Sequence, residues 1–298
     1  MKRPSLDVSI ITYNHRDFIG RAIDSALAQQ TDFPVTIHIG DDFSDDGTRG
    51  ILQTYRDRYP DRIVLNLQPE RPSGIPGRVN NIANLESCTG DYLALLDGDD
   101  YWLDPLKLQR QVDFLERSPG HGGAAHGFVI SRSPETLSYD QVRQDDGKPL
   151  DCQTADIFDK QLIQTSTFVC RRHLIQFPDW FNDVHAADYA LFLMAASHGP
   201  IHFDPRIRSV YQQHRASVTD RQGNTEWAQT FVHDWPLLAK QFPQAVTLRQ
   251  KMNLLRARRI VALAEGRFAE AALLAGQLVG KDPAAITRWL EHALGRRR

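Results

Sequence analysis

Short apolar runs alternate with amphipathic segments through the first 130 residues of the chain. A short run of mostly apolar residues predicts a buried strand, and apolar residues that recur every three or four positions predict a helix. The predicted strands are residues 8–12, 35–39, 63–67, 92–96 and 124–130, and a helix follows each of the first four. Repeated strand and helix pairs are typical of an α/β fold, in which helices flank a mostly parallel sheet.

The second half of the chain changes character twice. Residues 133–160 are polar and irregular, so we expect an inserted loop there, followed by a strand at 165–170 and a helix at 187–197. Beyond residue 221 the strand pattern stops, and helices are predicted at 227–242, 246–265, 267–279 and 283–294. The turn at 266–268 resembles a single tetratricopeptide-type hairpin, with no second copy at a fixed period. We therefore predict an α/β domain over residues 1–221 and a helical region over 222–298.

Composition and charge exclude several classes of protein. With 41% apolar residues, 24% charged residues and a formal net charge of −2, the chain is predicted to be globular, without a general attraction to nucleic acid. Its three cysteines, Cys88, Cys152 and Cys170, lie far apart, so neither a disulfide framework nor a paired-cysteine zinc site is expected. No stretch approaches the roughly 20 apolar residues of a membrane-spanning helix. We expect a cytoplasmic protein, for which peripheral contact with the inner face of the membrane stays open.

A pair of carboxylates directly follows the predicted strand at 92–96. Asp97 and Asp99 are separated only by Gly98, and glycine allows the tight backbone that aims both side chains at one point. Ligands of open parallel sheets bind at this carboxyl edge, and Mg²⁺ or Mn²⁺ takes one or two protein carboxylates while phosphate oxygens and water complete its shell. The competing interpretation is an acidic turn that caps the helix starting at Pro105.

A second acidic cluster, residues 41–48, follows the strand at 35–39. Asp42, Ser44 and Asp46 fall at the first, third and fifth positions of a calcium-binding loop. That motif needs a bidentate carboxylate at its twelfth position, where this chain has Gln53, and it needs a helix in front of the loop, where a strand is predicted. Calcium binding is therefore disfavoured, and two acidic loops at one sheet edge favour a single metal-assisted site.

Four segments, in this order and spacing, resemble the inverting family 2 glycosyltransferases with the GT-A fold. They are Val8-Ser9-Ile10-Ile11-Thr12-Tyr13-Asn14, Ser25 to Gln29, Asp41-Asp42-x-Ser44-x-Asp46-Gly47-Thr48, and Gly90-Asp91-Tyr92 running into Leu96-Asp97-Gly98-Asp99-Asp100. The resemblance covers roughly residues 6 to 220 and leaves out the helical region. It implies a nucleotide-binding half at about 1–130 and an acceptor-side half at about 131–221.

The resemblance also implies site residues for a nucleoside-diphosphate sugar. The residues expected to bind that donor are Thr12, Tyr13, Asn14, Asp42, Asp97, Gly98, Asp100, His214 and Arg215. Asp42 would contact the base, which favours a UDP-sugar or a dTDP-sugar. Asp99, with Asp97 and His214, would hold the Mn²⁺ or Mg²⁺ that offsets the charge of the departing diphosphate. Asp100 would assist or hold the loop. The acceptor would be a glycan, a lipid-linked saccharide or a protein.

The family supplies a catalytic base from a Glu-Asp pair that opens a helix, and the matching residues here are Ala187 and Asp188. Asp188 is therefore the expected base, with a helix-capping carboxylate as the alternative. Residues 211–217 resemble the family's closing segment, in which a histidine lies close to the diphosphate or the metal. His214 and Arg215 match that segment, although the arginine often found after the tyrosine is Gln212 here.

Four other residues receive structural interpretations. No partner for His126 or His185 can be identified in the sequence, so both are expected to be structural. Trp180 and Phe181, which are adjacent, are expected in the core rather than in a platform for an acceptor sugar.

Two alternative functions of the protein stay open. A nucleotidyltransferase would also use paired aspartates, but its glycine-rich, lysine-containing loop is absent after the first strand. A non-catalytic binding protein would use the helical region to contact a protein partner or a membrane surface.

Overall fold

The computed structural model describes residues 3–131, 140–141, 147–157, 162–214 and 224–281. The strands are β1 Leu6–Thr12, β2 Val35–Asp41, β3 Ile63–Leu67, β4 Tyr92–Asp97, β5 Tyr101–Trp102, β6 Gly123–Ser131, β7 Asp140–Gln141, β8 Leu150–Cys152, β9 Val169–Arg171 and β10 Ile201–Gln212. The helices are α1 Ile19–Leu27, α2 Thr48–Arg58, α3 Arg78–Ser87, α4 Lys107–Arg117, α5 Ala187–Ala196, α6 Asn224–Gln241, α7 Leu248–Ala264 and α8 Phe268–Lys281.

The strands form one mixed sheet in the order β3-β2-β1-β4-β9-β6-β10-β5, with β7 on β6 and β8 on β10. Neighbours among β3, β2, β1 and β4 are parallel, β9 is antiparallel to both β4 and β6, and β10 is parallel to β6. Apolar side chains of β1, β2 and β4 pack with those of α1 and α4 in the main core. The expected α/β architecture, with helices flanking a central sheet, is confirmed, and the parallel strands are concentrated in its first half.

Strand β10 was not predicted, because charged residues interrupt its apolar pattern. Its charges at Asp204, Arg206 and Arg208 are paired with one another or with Asp104, although the Arg206 side chain remains exposed. Arg208 is 5% exposed, and its guanidinium lies 2.8 Å from Asp104 and 3.0 Å from Asp204. The strand predicted at 165–170 is also partly wrong: Thr165–Thr167 form a 3-10 turn, because the Gln164 side chain accepts a hydrogen bond from the backbone N–H of Ser166.

The Ser25 to Gln29 motif ties α1 to the segment that follows the acidic loop of β4. The Ser25 hydroxyl accepts a hydrogen bond from the backbone N–H of Trp102 at 3.1 Å. The Gln29 amide donates to the carbonyl of Asp104 at 2.9 Å and accepts from the backbone N–H of Leu108 at 3.1 Å. These bonds satisfy backbone groups between β5 and α4, so the motif fixes the chain just beyond the predicted metal site.

The chain divides into two compact units, Met1–Asp183 with Ala187–His214, and Val184–Ala186 with Arg215–Arg298. The boundary between residues 221 and 222 stays a prediction, since 215–223 lie outside the described part of the chain.

In the second unit, α6 and α7 share a small core of Ala228, Ala257 and Val261. Gly266, at a φ of 72°, forms the turn between α7 and α8. The helix predicted at 283–294 lies outside the described residues. In the described ranges no helix has both the length and the apolar character needed to cross a membrane.

Asp7 should contribute to stability in a pH-dependent way. Its carboxylate is 5% exposed and accepts the backbone N–H groups of Thr89 and Gly90 at 2.6 and 2.7 Å. Burial alone would raise the pKa of Asp7, but contacts with His38 and with those N–H groups outweigh burial and lower it. Because the pKa is lowered by folding, the stabilisation is complete above the unfolded pKa of about 3.9 and is lost as the pH falls through the lowered value.

We expect Asp7→Asn to lower the free energy of unfolding by about 1–3 kcal/mol at pH 7, since a charged acceptor of two partly buried N–H groups is lost. Urea denaturation at pH 7 and near pH 3.5 measures this. The difference from the wild type should begin to shrink at the lower pH, because Asp7 of the unfolded chain takes up a proton there while folded Asp7, with its lowered pKa, resists protonation. Asp57→Asn, on the exposed side of α2, is the matched control. An equal loss at both pH values would contradict the account.

Candidate active site

The acidic loop after β4 lies directly against the end of β1. The backbone N–H of Gly98 donates to the carbonyl of Ile11 at 2.9 Å. A Cβ at residue 98 would lie 2.8 Å from Oγ1 of Thr12 and 2.9 Å from Nδ1 of His15, so only glycine fits without displacement of these neighbours. Thr12 is buried, and its Oγ1 has no hydrogen-bond partner among the described residues. The predicted juxtaposition of β1 and the acidic loop is therefore present.

Hydrogen bonds join the loop after β1 to the acidic loop after β2. Asn14, at a φ of 53°, donates its backbone N–H to the hydroxyl of Ser44 at 2.9 Å. Its side chain donates to the carboxylate of Asp45 and accepts the backbone N–H of Asp45, both at 3.0 Å. Asp46 receives the backbone N–H of Arg16 at 3.0 Å and caps the start of α2 through Thr48. These bonds give Asn14, Asp45 and Asp46 roles in shaping the loops, and donor contact by Asn14 stays a prediction.

A carboxylate and an aromatic ring, Asp42 and Tyr13, lie in these two loops. One oxygen of Asp42 accepts the backbone N–H of Gly77 at 3.1 Å, and the other is buried without a partner among the described residues. Burial and the nearby Asp41 carboxylate raise the pKa of Asp42, while the Gly77 N–H and the charge of Arg71 oppose the increase. The Arg71 guanidinium lies 5.2 Å from the centre of the Tyr13 ring. Asp42, Tyr13 and Arg71 thus frame one side of the site.

Asp99 is the centre of a cluster with two histidines. It is 9% exposed, and its Oδ2 lies 3.0 Å from Nε2 of His214 and 3.8 Å from Nε2 of His15. One ligand atom from each of the three residues lies within 4.8 Å of the others, which is close enough for a single cation. Nδ1 of His15 is buried with no hydrogen-bond partner in the described part of the chain. The Phe18 ring stacks on His214 with 4.3 Å between centres, which fixes the imidazole.

The donor set fits a divalent cation. The Asp99 carboxylate suits Mn²⁺ or Mg²⁺, and the neighbouring carboxylates of Asp97 and Asp100 favour a positive charge there. Burial and the carboxylates of Asp99 and Asp188 raise the pKa of Asp97, although a hydrogen bond from Thr165 opposes them. Burial, followed by Asp99 and Asp97, also raises the pKa of Asp100 well above its ordinary value. A cation at this edge would relieve that repulsion.

Asp100 is held by protein groups on both of its oxygens. Oδ1 accepts the backbone N–H of Gln212 at the end of β10, and Oδ2 accepts the side-chain amide of Gln164, each at 2.9 Å. Asp100 is 1% exposed. This geometry favours the second of its two expected roles, that of an anchor for the acidic loop, because both oxygens are already used.

Asp188 lies in the first turn of α5, with its Oδ1 accepting the backbone N–H of Tyr189 at 2.9 Å. Its charge contributes to the raised pKa of Asp97, so the expected base lies near the acidic loop. The structure thus brings together Asp97, Asp99, Asp188 and His214 in one unit. Arg215 lies outside the described residues.

Of the four residues expected to be structural, three are buried or paired within the fold, and Trp180, also expected in the core, is only half-buried. His126 is fully buried, with its Nδ1 at 2.9 Å from the carbonyl of Gly127. Nδ1 of His185 lies 2.9 Å from Asp234, and Phe181 is fully buried in the core. The sequence analysis missed His15 and Arg71. His15 directly follows Tyr13-Asn14 in a loop at the carboxyl edge, so its position was the available signal, whereas Arg71 gave none.

The chain belongs to glycosyl transferase family 2, whose family model matches residues 7–175. A relative in Mycobacterium tuberculosis (strain ATCC 25618 / H37Rv), an uncharacterized protein, is 33% identical over 226 residues. Those residues are 73% of this chain and 62% of that relative, so the chain spans less than two thirds of the relative's length. The resemblance drawn from the four sequence segments is confirmed.

Two solved structures share the fold. The S. aureus TarS fragment 1–349, in complex with UDP-GlcNAc, has a TM-score of 0.60 at 17% identity and covers 87% of this chain and 81% of that one. The mannosyltransferase PcManGT of Pyrobaculum calidifontis, in complex with GDP-Man and Mn²⁺, has a TM-score of 0.60 at 19% identity and covers 100% of this chain and 82% of that one. At these identities the likeness establishes the fold alone, and the expected GT-A fold is confirmed.

Proposed function

We propose that this protein is an inverting glycosyltransferase that moves a sugar from UDP or dTDP to an acceptor hydroxyl in glycan or glycoconjugate synthesis. The observation that carries the proposal is the meeting of three groups at one edge of the sheet. Asp42 and Tyr13 offer a base pocket, Asp99 and His214 offer ligands for a cation, and Asp188 offers a base beside Asp97. Family membership and the folds of two nucleotide-sugar complexes support the same activity.

The free oxygen of Asp42 supports a uracil or thymine donor. Only one of its oxygens lacks a partner, because Gly77 already donates to the other. Uracil and thymine each present one imide N–H, which a single carboxylate oxygen can accept. Guanine presents two adjacent donor groups, which would compete with Gly77 for the second oxygen. Tyr13, with Arg71 over its ring, would pack against the base.

At the diphosphate, residues of this chain would hold the cation and orient the donor. Asp99 and His214 would hold Mn²⁺ or Mg²⁺, with His15 beside them. When bound, the cation offsets the negative charge that develops on the departing diphosphate. Gly98 allows the backbone to approach this point, and Asp100 keeps the loop joined to the end of β10.

Asp188 would accept the proton of the acceptor hydroxyl as that oxygen attacks the anomeric carbon from the face opposite the diphosphate. The bond from the anomeric carbon to the phosphate oxygen breaks, and its electrons remain on the diphosphate. This single displacement inverts the anomeric configuration.

Slow hydrolysis of the donor, with water in place of the acceptor, tests the proposal without knowledge of the acceptor. We expect release of UDP or dTDP from UDP-glucose, UDP-GlcNAc or dTDP-glucose in the presence of Mn²⁺, at least tenfold faster than release of GDP from GDP-mannose. EDTA should stop the release. Equal release from GDP-mannose would contradict the base preference, and release that survives EDTA would contradict the role of the metal. Absence of release, together with tight nucleotide binding, would favour the non-catalytic alternative.

A further inference from the structure

A second cluster of histidine and aspartate lies at the opposite end of β10. His121 lies in the loop between α4 and β6, Asp151 in β8, and His202 at the start of β10. Asp151 and His202 face each other directly in the antiparallel pairing of β8 with β10. The other end of β10 reaches Asp100 about ten residues later, so the cluster lies about 30 Å from the acidic loop along the strand.

The three side chains converge at the spacing of a metal's coordination shell. Oδ1 of Asp151 lies 3.0 Å from Nδ1 of His202, and Oδ2 lies 3.2 Å from Nε2 of His121. One ligand atom from each residue lies within 4.8 Å of the others. Ligand atoms bonded at about 2.0–2.1 Å to a tetrahedral ion are about 3.3 Å apart. We propose that His121, Asp151 and His202 bind a divalent transition-metal ion of the zinc class.

Hydrogen bonding alone leaves one nitrogen of the cluster unused. Nε2 of His121 is buried and, despite its 3.2 Å distance from Asp151, makes no hydrogen bond of acceptable geometry among the described residues. A buried nitrogen without a hydrogen bond is costly unless something else binds its lone pair. A cation placed between the imidazoles and the carboxylate would use that lone pair.

The protein around the cluster holds the ligands in place. The Phe114 ring stacks on His202 with 3.9 Å between centres and meets the edge of His121 at 4.9 Å. Such support fixes imidazole orientation, which metal sites need for affinity. The Asp151 side chain is 47% exposed, so water can reach the ion and fill its fourth position. The ion would join β8, the start of β10 and the loop after α4.

This cluster has the same kinds of ligand as His15, Asp99 and His214 and differs from them in its place in the fold. Two imidazole nitrogens and one carboxylate favour Zn²⁺ and other borderline ions, whereas Mg²⁺ and Ca²⁺ prefer shells of oxygen. A ligating carboxylate must be deprotonated, as an aspartate ordinarily is at neutral pH.

Calorimetric titration of the full chain with Zn²⁺ tests the proposal. Asp151→Asn keeps the shape of a half-exposed side chain, and His121→Gln removes the unpaired nitrogen. We expect each to abolish one equivalent of Zn²⁺ or weaken it at least tenfold. Three variants serve as controls: Asp99→Asn and His233→Ala, which each alter another cluster of potential ligands, and His198→Ala, an exposed histidine outside the clusters. All three should retain that equivalent.

Co²⁺ provides an independent readout, since its visible absorption is intense only in tetrahedral coordination. The wild type and Asp99→Asn should show that absorption, and Asp151→Asn should not. The proposal is overturned if Asp151→Asn and His121→Gln bind Zn²⁺ with the stoichiometry and affinity of the wild type. It is equally overturned if His198→Ala loses the same equivalent, because the binding would then be diffuse.

Discussion

Asp188→Asn should reduce donor hydrolysis by about 10²–10⁴-fold, the usual contribution of a general base, while the affinity for UDP and Mn²⁺ stays unchanged. An amide has the size of the carboxylate but cannot accept the proton of the attacking oxygen. An asparagine oxygen can still accept the backbone N–H of Tyr189, so α5 should keep its start. The measurement is the rate of UDP release from a UDP-sugar at saturating donor and Mn²⁺, with water as the acceptor.

Asp179→Asn is the matched control, because Asp179 is exposed in the 3-10 turn before α5. It should hydrolyse the donor at the wild-type rate. The base assignment is wrong if Asp188→Asn also retains that rate. A variant that loses stability and donor binding together would instead indicate that Asp188 serves mainly as a helix-capping carboxylate.

Asp99→Asn should remove the Mn²⁺-dependent part of nucleotide binding. The carboxylate lies between His214 and His15, and its charge is the strongest attraction for a cation at that point. Without the cation, the diphosphate would face Asp97 and Asp100 uncompensated, so we expect UDP affinity in Mn²⁺ to fall at least 100-fold. Calorimetric titration with UDP, with and without Mn²⁺, measures this.

The variant should bind UDP in Mn²⁺ no better than the wild type does in EDTA. Asp61→Asn, on the exposed turn before β3, provides the control and should keep the metal effect. If Asp99→Asn retained a full Mn²⁺ response, the metal would be held elsewhere, and the His15, Asp99 and His214 cluster would lose its proposed role.

The first half of the fold could be predicted because each of its main strands carries several apolar residues within a short segment. Apolar residues of β1, β2 and β4 are buried, and the buried polar residues among them do not hide that pattern. The site position followed from the same pattern, since both acidic loops begin where parallel strands end. That argument depends on residues that are neighbours in sequence, and it needs no knowledge of long-range contacts.

Long-range pairing explains what the sequence could not show. Charged residues interrupt the apolar pattern of β10, and in the fold Asp104 and Asp204 neutralise Arg208. Without knowledge of these partners, the charged residues indicate a loop. His15 reaches Asp99 only because Gly98 lets the two loops approach. Asp99 is proposed to bind the metal and Asp100 to anchor the loop. The sequence could not show this difference, because Gln164 and Gln212 donate to Asp100 only in the folded chain.

The central claim is that this sheet edge binds a nucleoside-diphosphate sugar together with a divalent cation. A thermal-shift panel of UDP, dTDP and GDP and their sugars, each with and without Mn²⁺, tests it most directly, because a ligand that binds only the native state raises the apparent stability. We predict a rise of several degrees with UDP or dTDP compounds that requires Mn²⁺. No shift with any nucleotide, in the presence or absence of Mn²⁺, would contradict the claim.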